Sequence, residues 1–379
     1  MKTLSEIEDG SSCQVPNGPE EKYIPVNKGH FELESQDRIS RFKGLLSNGW
    51  EKEYEEYRRL WDELPIRQEV RDYPLLVDLE MSSKCNLRCP MCPTMTTEFQ
   101  LLRKEISADR LMNIDLAKKI VDEVHSHIYS LRLSWVGEPT MHPHLTEMVA
   151  YAKRKGIREV SFLTNGTKLH LGYMKKLIDA GLDIMTISID GLGEAYDSIR
   201  APLTFDKTLA KLTKLKEYKE ACGFTKPLIK IQGVWPAIRP NPDLYYNTFE
   251  PLVDMIAFNP LIDYLHNDTD IVYESGFSCP QPYQRLTIAA DGRAAMCSND
   301  DLVRTVVGNA WEQSIHDIWH GDGMMRVREL HAKRDGFKEI EACRDCYYPR
   351  KVESNEWASV NGRRVVIENY VNRNQEIGQ

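Results

Sequence analysis

The sequence predicts an α/β fold: a partial (β/α)6 barrel of parallel strands followed by a small α+β domain. Three observations carry this. Short apolar runs fit for buried strands alternate with helical patterns six times between about residues 74 and 275. Such alternation is the signature of βαβ units and a parallel sheet. Six units are too few for a closed eight-fold barrel, which favours an open partial barrel over a flat doubly wound sheet. After about residue 276 the alternation stops and a hairpin pattern takes over. A chain of 379 residues has room for both parts and for a substantial core.

The elements follow in order. The first forty or so residues are polar, punctuated by Gly and Pro, and read as a mobile arm. Residues 38–63 form a charged helix or helix pair, with Trp50, Tyr54, Tyr57 and Trp61 at helical spacing as a packing stripe. Leu75 to Met81 is the first buried strand. Ser107 is placed to cap a helix whose face carries Leu111, Ile114, Leu116, Ile120 and Val121. Strands follow at Leu131 to Val136, Glu159 to Leu163, Asp183 to Ile189, Leu228 to Val234 and Asp254 to Phe258. Helices lie between them, after His144, from Lys168 to Ala180 with Gly181 as the stop, and from Phe205 to Cys222. Leu286 to Cys297 is a hairpin turning at Asp291-Gly292, a strong turn pair. One helix runs from Ser314 through His331, and Val365-Val366-Ile367 packs back on the body. The expected divisions are 1–73 (arm and helices), 74–275 (barrel), 276–350 (second domain) and 351–379 (C-terminal extension).

Composition excludes several functions. The balance of 49 basic against 57 acidic residues gives a net charge of −8, which argues against a nucleic-acid surface. No apolar run is long enough to cross a bilayer, so no membrane partner is expected. Met1 to Asp9 lacks the pattern of a secretory signal, so a cytoplasmic location is expected. Nine cysteines, an odd number in such a chain, point to metal or catalytic thiols rather than disulfides.

Seven of the nine form two clusters. Cys85, Cys89 and Cys92 are spaced C-x3-C-x2-C in the loop after the first strand, where open α/β folds gather ligands. Three thiolates on a four-iron cubane leave one iron with open coordination. Zinc prefers four ligands, and no fourth lies near in sequence. Cys279 and Cys297 flank the hairpin as C-x12-G-x4-C, and Cys343 and Cys346 form a C-x2-C. Four thiolates close a tetrahedral site, for zinc or for an iron–sulfur cluster. Cys13 lies in the arm, and Cys222 ends a helix as a bystander.

The first cluster motif resembles that of the radical S-adenosylmethionine (SAM) enzymes. Weaker motifs follow on successive strands. Val136-Gly137-Glu138-Pro139 resembles the family's Gly-Gly-Glu-Pro, with Val in place of the first Gly. Thr164-Asn165-Gly166 is similar to its Thr-Asn-Gly turn, and Ile187-Ser188-Ile189-Asp190-Gly191 with Tyr196 and Arg200 to its fourth-strand segment. The resemblance implies that Cys85, Cys89 and Cys92 hold a [4Fe-4S] cluster whose open iron chelates SAM. It also implies cofactor contacts from Met91, Gly137, Glu138, Pro139, Asn165, Ser188, Asp190, Arg200 and Val234. The alternation of Thr186, Ser188 and Asp190 puts their polar groups on one strand face, and Arg200 suits a carboxylate. The second cluster resembles the family's C-terminal SPASM or shorter twitch module, which implies an auxiliary [4Fe-4S] cluster on Cys279, Cys297, Cys343 and Cys346.

The implied chemistry is one-electron cleavage of SAM to a 5′-deoxyadenosyl radical that abstracts hydrogen from a substrate C–H. A flavodoxin- or ferredoxin-type protein is the expected reductant. A closed auxiliary cluster suits the role of electron acceptor, so the expected outcome is two-electron oxidation of a small polar substrate of sugar or aminocyclitol type. The alternatives are a peptide maturase, a redox-neutral epimerase and a non-enzymatic electron-transfer protein. Glu80, Gln232, Asp254 and Asn259 are the candidate lumen polar residues. Trp135 and Trp235 are assigned to packing.

Overall fold

The computed structural model describes residues 22–28, 31–106, 110–263, 265, 267–373, 376 and 377. Its centre is a ten-stranded sheet in the order β1-β7-β6-β5-β4-β3-β2-β8-β9-β10. The strands are β1 (Phe31–Glu32), β2 (Leu76–Leu79), β3 (Ser130–Arg132), β4 (Glu159–Thr164), β5 (Ile184–Ser188), β6 (Leu228–Val234), β7 (Met255–Asn259), β8 (Arg285–Ile288), β9 (Arg293–Ala295) and β10 (Val306–Asn309). From β2 to β7 the neighbours pair in parallel, in sequence order. This is the mixed α/β architecture with a parallel sheet that the alternation predicts. Val77, Leu131, Val160, Ile187, Ile231 and Ile256 have no or almost no exposed surface and fill the core under the helices.

The boundaries differ in informative ways. β8, expected as part of a separate hairpin, pairs in parallel with β2, from Leu76↔Arg285 to Leu79↔Ile288. It thereby covers the free edge of the barrel sheet, and Leu286 and Ile288 become fully buried. The other edge is covered by β1, antiparallel to β7, in a segment expected as a mobile arm. Glu34 anchors it by accepting from Ile256 N at 2.8 Å and pairing with Arg38 at 2.6 Å. Cys13 lies outside the described residues.

The expected helix pair is present as Gln36–Ser47 and Glu51–Arg67, and its Trp50, Tyr57 and Trp61 pack with Leu75, Leu76 and Tyr283. Ser107 also lies outside the described residues. The helix it was expected to cap starts at Ile114, with Asn113 accepting from Asp115 N and Leu116 N. The helix Phe205–Cys222 has the expected bounds. The single helix expected from Ser314 to His331 is two, Ile315–His320 and Asp322–Ala332. Gly321 breaks it with an extended backbone, φ −71° and ψ 164°. The last segment forms a hairpin of β11 (Val352–Val360) and β12 (Arg363–Tyr370). Its turn residues Asn361 and Gly362 both have positive φ, 48° and 70°, the geometry favoured between twisted strands.

Two groups of contacts fasten this C-terminal part to the barrel mouth. Trp235 Nε1 donates to Glu356 Oε1 at 2.8 Å. Arg350 and Arg373 are paired with Asp263 and Asp268, and Arg373 Nε donates to Leu261 O at 2.9 Å. Trp235 is only 1% exposed, in agreement with a packing role.

Candidate active site

The loop after β2 carries Cys85, Cys89 and Cys92 across the carboxyl ends of the parallel strands. Leu87, Cys89 and Met91 bury themselves against Ile199, Ala237 and Leu261. Leu87 N donates to Cys85 Sγ at 3.5 Å, Asn165 Nδ2 donates to the same sulfur at 3.7 Å, and Cys92 Sγ meets Thr94 Oγ1 at 3.1 Å. Burial pushes the Cys85 thiol up, and pushes that of Cys89 up to about 11 despite the nearby Arg200 guanidinium. Such thiols ionise when a cationic centre takes the place of their protons.

Gly137 is what lets the loop after β3 reach this cluster loop. A Cβ there would stand 2.3 Å from Ser82 O and 2.7 Å from Lys84 O, both backbone atoms. Glu138 N donates to Lys84 O at 2.8 Å. The Glu138 carboxylate is 2% exposed and accepts from Thr140 N, Thr140 Oγ1, Thr164 Oγ1 and Asn165 N at 2.6–3.1 Å. It therefore ties the β3 loop to the β4 loop. Asn165 continues the chain of contacts by donating to Asn86 Oδ1 at 2.8 Å.

On the next strand loop, Asp190 is 1% exposed and pairs with Arg200, at 2.6 Å to Nε and 2.5 Å to Nη2. Its other oxygen accepts from Val234 N at 2.9 Å, which joins the β5 and β6 ends. Asp190 raises the pKa of Arg200, whose burial alone would lower it, so the guanidinium stays charged inside the site. Replacing Asp190 with Ala leaves that cation without its partner, and an expected loss of about 3–5 kcal/mol follows. Urea unfolding of the variant beside Asp190→Asn, which retains a hydrogen-bond acceptor, measures it.

These loops enclose a cavity of about 260 Å³. Its wall includes Cys85, Cys89, Met91, Cys92, Gly137, Glu138, Asn165, Ser188, Asp190, Arg200 and Val234, all expected site residues. Pro139, expected with them, is not on this wall. It is buried as the first residue of the 3-10 turn Pro139–Met141, behind Glu138. Gln232 and Asn259 line the cavity as expected lumen residues. Glu80 instead accepts from Ala290 N at 3.0 Å, and Asp254 from Ile229 N at 2.7 Å, so both serve the scaffold. Trp135 packs on Ala289, Ala295 and Val303 as expected, and it also stands on the cavity wall and donates from Nε1 to Ser298 O at 2.8 Å.

The polar lining residues that sequence reasoning missed are Thr94, Ser298 and Asp301. Ser298 directly follows Cys297 and Asp301 is four residues beyond it, so the second cysteine cluster borders the first one's cavity. The signal was present in the polar run Ser298-Asn299-Asp300-Asp301 after a ligand cysteine.

Cys279, Cys297, Cys343 and Cys346 converge on a second pocket with Phe277, Met296, His331 and Tyr348. Burial raises all four thiols, that of Cys346 to about 11. Four thiols and no carboxylate on its wall form a soft donor set that suits iron–sulfur or zinc chemistry.

Residues 79–229 match the radical SAM superfamily, and residues 279–347 match SPASM, an iron–sulfur cluster-binding domain. The chain carries a radical SAM domain and a C-terminal SPASM domain. The three-cysteine loop lies in the first match and all four remaining ligand cysteines in the second. These domains imply SAM, a SAM-binding [4Fe-4S] cluster and auxiliary [4Fe-4S] ligation. A tungsten-containing aldehyde ferredoxin oxidoreductase cofactor-modifying protein of Pyrococcus furiosus is 28% identical over 265 residues, 68% of this chain and 72% of that one. An Fe-coproporphyrin III synthase of Methanosarcina barkeri is 32% identical over 153 residues, 40% of this chain and 36% of the relative. Among solved structures, BtrN in complex with AdoMet and 2-DOIA superposes with a TM-score of 0.51 at 19% identity, covering 77% of this chain and 98% of BtrN. Streptococcus suis SuiB bound to SAM gives 0.51 at 13% identity, covering 77% and 76%. At these identities the likeness is one of fold. No helix among the described residues is long and apolar enough to cross a membrane.

Proposed function

We propose that this radical SAM enzyme oxidises a small polar substrate by two electrons, with the auxiliary cluster as electron acceptor. The observation that carries this reading is the shared wall. Ser298 and Asp301 face the same cavity as the SAM-cluster cysteines, one and four residues after the auxiliary ligand Cys297. A substrate in that cavity stands between the two cluster sites.

A [4Fe-4S] cluster held by Cys85, Cys89 and Cys92 would supply, when bound, the electron for reductive cleavage of SAM and so the means of hydrogen abstraction from substrate. The chain's residues do the rest. Cys85, Cys89 and Cys92 would be the three protein ligands of that cluster. Arg200 offers its charge to the SAM carboxylate while Asp190 fixes its plane. Ser188, Asn165, Gly137, Met91 and Val234 line the cofactor's side of the cavity. Glu138 latches two strand loops together through its carboxylate and also faces the cavity.

Gln232, Asn259, Ser298 and Asp301 face the substrate and suit hydroxyl or amino groups. Loss of one hydrogen atom to the radical, then one proton and one electron, turns a carbinol into a carbonyl. Among the described residues the cavity wall carries no thiol besides the three cluster cysteines, which disfavours a cysteine hydrogen donor and hence epimerisation. Cys222 is exposed at the end of its helix.

The anaerobically reconstituted protein, given SAM and dithionite, is expected to form 5′-deoxyadenosine, faster when a metabolite extract of the source cells is added. Absence of 5′-deoxyadenosine under both conditions would refute radical SAM catalysis. Formation that no small-metabolite fraction accelerates, while a peptide fraction does, would replace the substrate class by peptides.

A further inference from the structure

We propose that His331 is a hydrogen-bond donor to the auxiliary cluster through Cys343, and that it raises the potential at which this cluster accepts an electron. His331 sits in the last turn of the helix Asp322–Ala332 and is 2% exposed. Its two ring nitrogens both meet cluster-ligand residues. Cys279 N donates to His331 Nδ1 at 3.4 Å. A nitrogen that accepts from a backbone N–H carries a lone pair, so the ring is neutral and its proton is on Nε2. Nε2 stands 3.6 Å from Cys343 Sγ. An iron-bound thiolate has no proton to give, so this contact is N–H···S, with the sulfur accepting. Phe277 packs edge-on to the imidazole, with ring centroids 6.1 Å apart, and holds its plane.

The consequence follows from charge. Reduction adds an electron to the cluster, part of whose density falls on the ligand sulfurs. A proton donor aimed at one of them stabilises the reduced form more than the oxidised form, so the potential rises. Burial keeps water from screening the dipole. Burial raises the Cys346 thiol, but Arg350 and Lys28 act on it in the same sense as the His331 donor, as cations that favour the more negative state. A raised potential is what an acceptor for a substrate radical requires. The inference thus deepens the oxidation proposed above, but its test needs no substrate, so the two can fail separately.

The experiment uses the full chain with Cys85, Cys89 and Cys92 replaced by Ala, which retains the auxiliary cluster alone. Its midpoint potential is read by EPR-monitored redox titration with His331 intact, as His331→Phe and as His331→Gln. The Phe variant is expected to shift the reduction equilibrium about tenfold toward the oxidised form, about 59 mV downward for one electron. Gln, which keeps an N–H, is expected to recover part of that shift. An unchanged potential in the Phe variant at equal iron content overturns the proposal. A second measurement stands independently of whether the variants hold a cluster. In the reduced His331 protein labelled with 15N-histidine, pulsed EPR is expected to show a weak nitrogen coupling together with an exchangeable proton. A strong coupling of a directly bound nitrogen would make His331 an iron ligand, and no coupling would remove it from the cluster; either result overturns the proposal.

Discussion

Replacing Cys343 and Cys346 with Ala is expected to separate the two halves of the chemistry. Both side chains line the auxiliary pocket, and neither lines the cavity of the SAM cluster. The double variant is expected to lose the auxiliary cluster, with iron falling from about eight to about four per chain if both are cubanes. SAM cleavage survives, because β2, the loop after it and the Asp190–Arg200 pair are untouched. Oxidised product is expected to vanish to the detection limit, because the substrate radical has no acceptor. Iron analysis, 5′-deoxyadenosine and product are measured in one sample. Product formation at the unaltered rate without auxiliary iron would show that the electron leaves by another route.

The second large effect is expected at Gly137. The Ala substitution adds a methyl group 2.3 Å from Ser82 O and 2.7 Å from Lys84 O, where the obstacles are backbone atoms that no rotamer change can move. The strand-loop contact has to open, at a cost near the upper end of the about 1–3 kcal/mol typical of overpacking. The damage falls on the site, because the same contact carries the Glu138 N to Lys84 O hydrogen bond that seats the cluster loop. We expect the variant to retain auxiliary iron and lose most of the SAM-cluster iron, with at least a hundredfold fall in 5′-deoxyadenosine. Iron content and visible absorption of the reconstituted protein check this. A neighbouring substitution makes the contrast: Val136 already carries a side chain at the position where the family motif has its first Gly.

The sequence showed the site more fully than the edges of the fold. The cysteine spacings are legible because cluster ligation demands fixed residue types at short fixed intervals, C-x3-C-x2-C in one loop and C-x2-C at the end of the second set. Ser188 and Asp190 are legible because strand periodicity puts them on one face, and Arg200 because the segment resembles the family's fourth-strand motif. Glu138 was visible as a site residue, but its task was not. Its four donors come from the β3 and β4 loops, and only the folded chain brings them to one carboxylate.

Long-range pairing was the least legible feature. Arg285 to Ile288 reads as half of a local hairpin, and nothing local to it says that β2, about two hundred residues earlier, lies alongside. The same joining of β8 to the barrel brings Ser298 and Asp301 onto the cavity wall, so missing the first meant missing the second. β1 is two residues long, too short for any periodicity to register. The β11–β12 turn was legible and overlooked, since Asn361-Gly362 is a strong hairpin pair. Gly321 likewise marked a break in a helix whose apolar pattern runs on through it.

The central claim is that a substrate held between two clusters loses two hydrogens, one to the radical and one as a proton with its electron leaving through the auxiliary cluster. It is tested most directly by incubating the reconstituted enzyme with SAM, reductant and source-cell metabolites in deuterated water, then comparing masses by high-resolution spectrometry. The expected result is a metabolite lighter by two hydrogens, free of solvent deuterium at carbon, with one 5′-deoxyadenosine formed per product. A product of unchanged composition that has gained carbon-bound solvent deuterium would contradict oxidation and make the enzyme an epimerase.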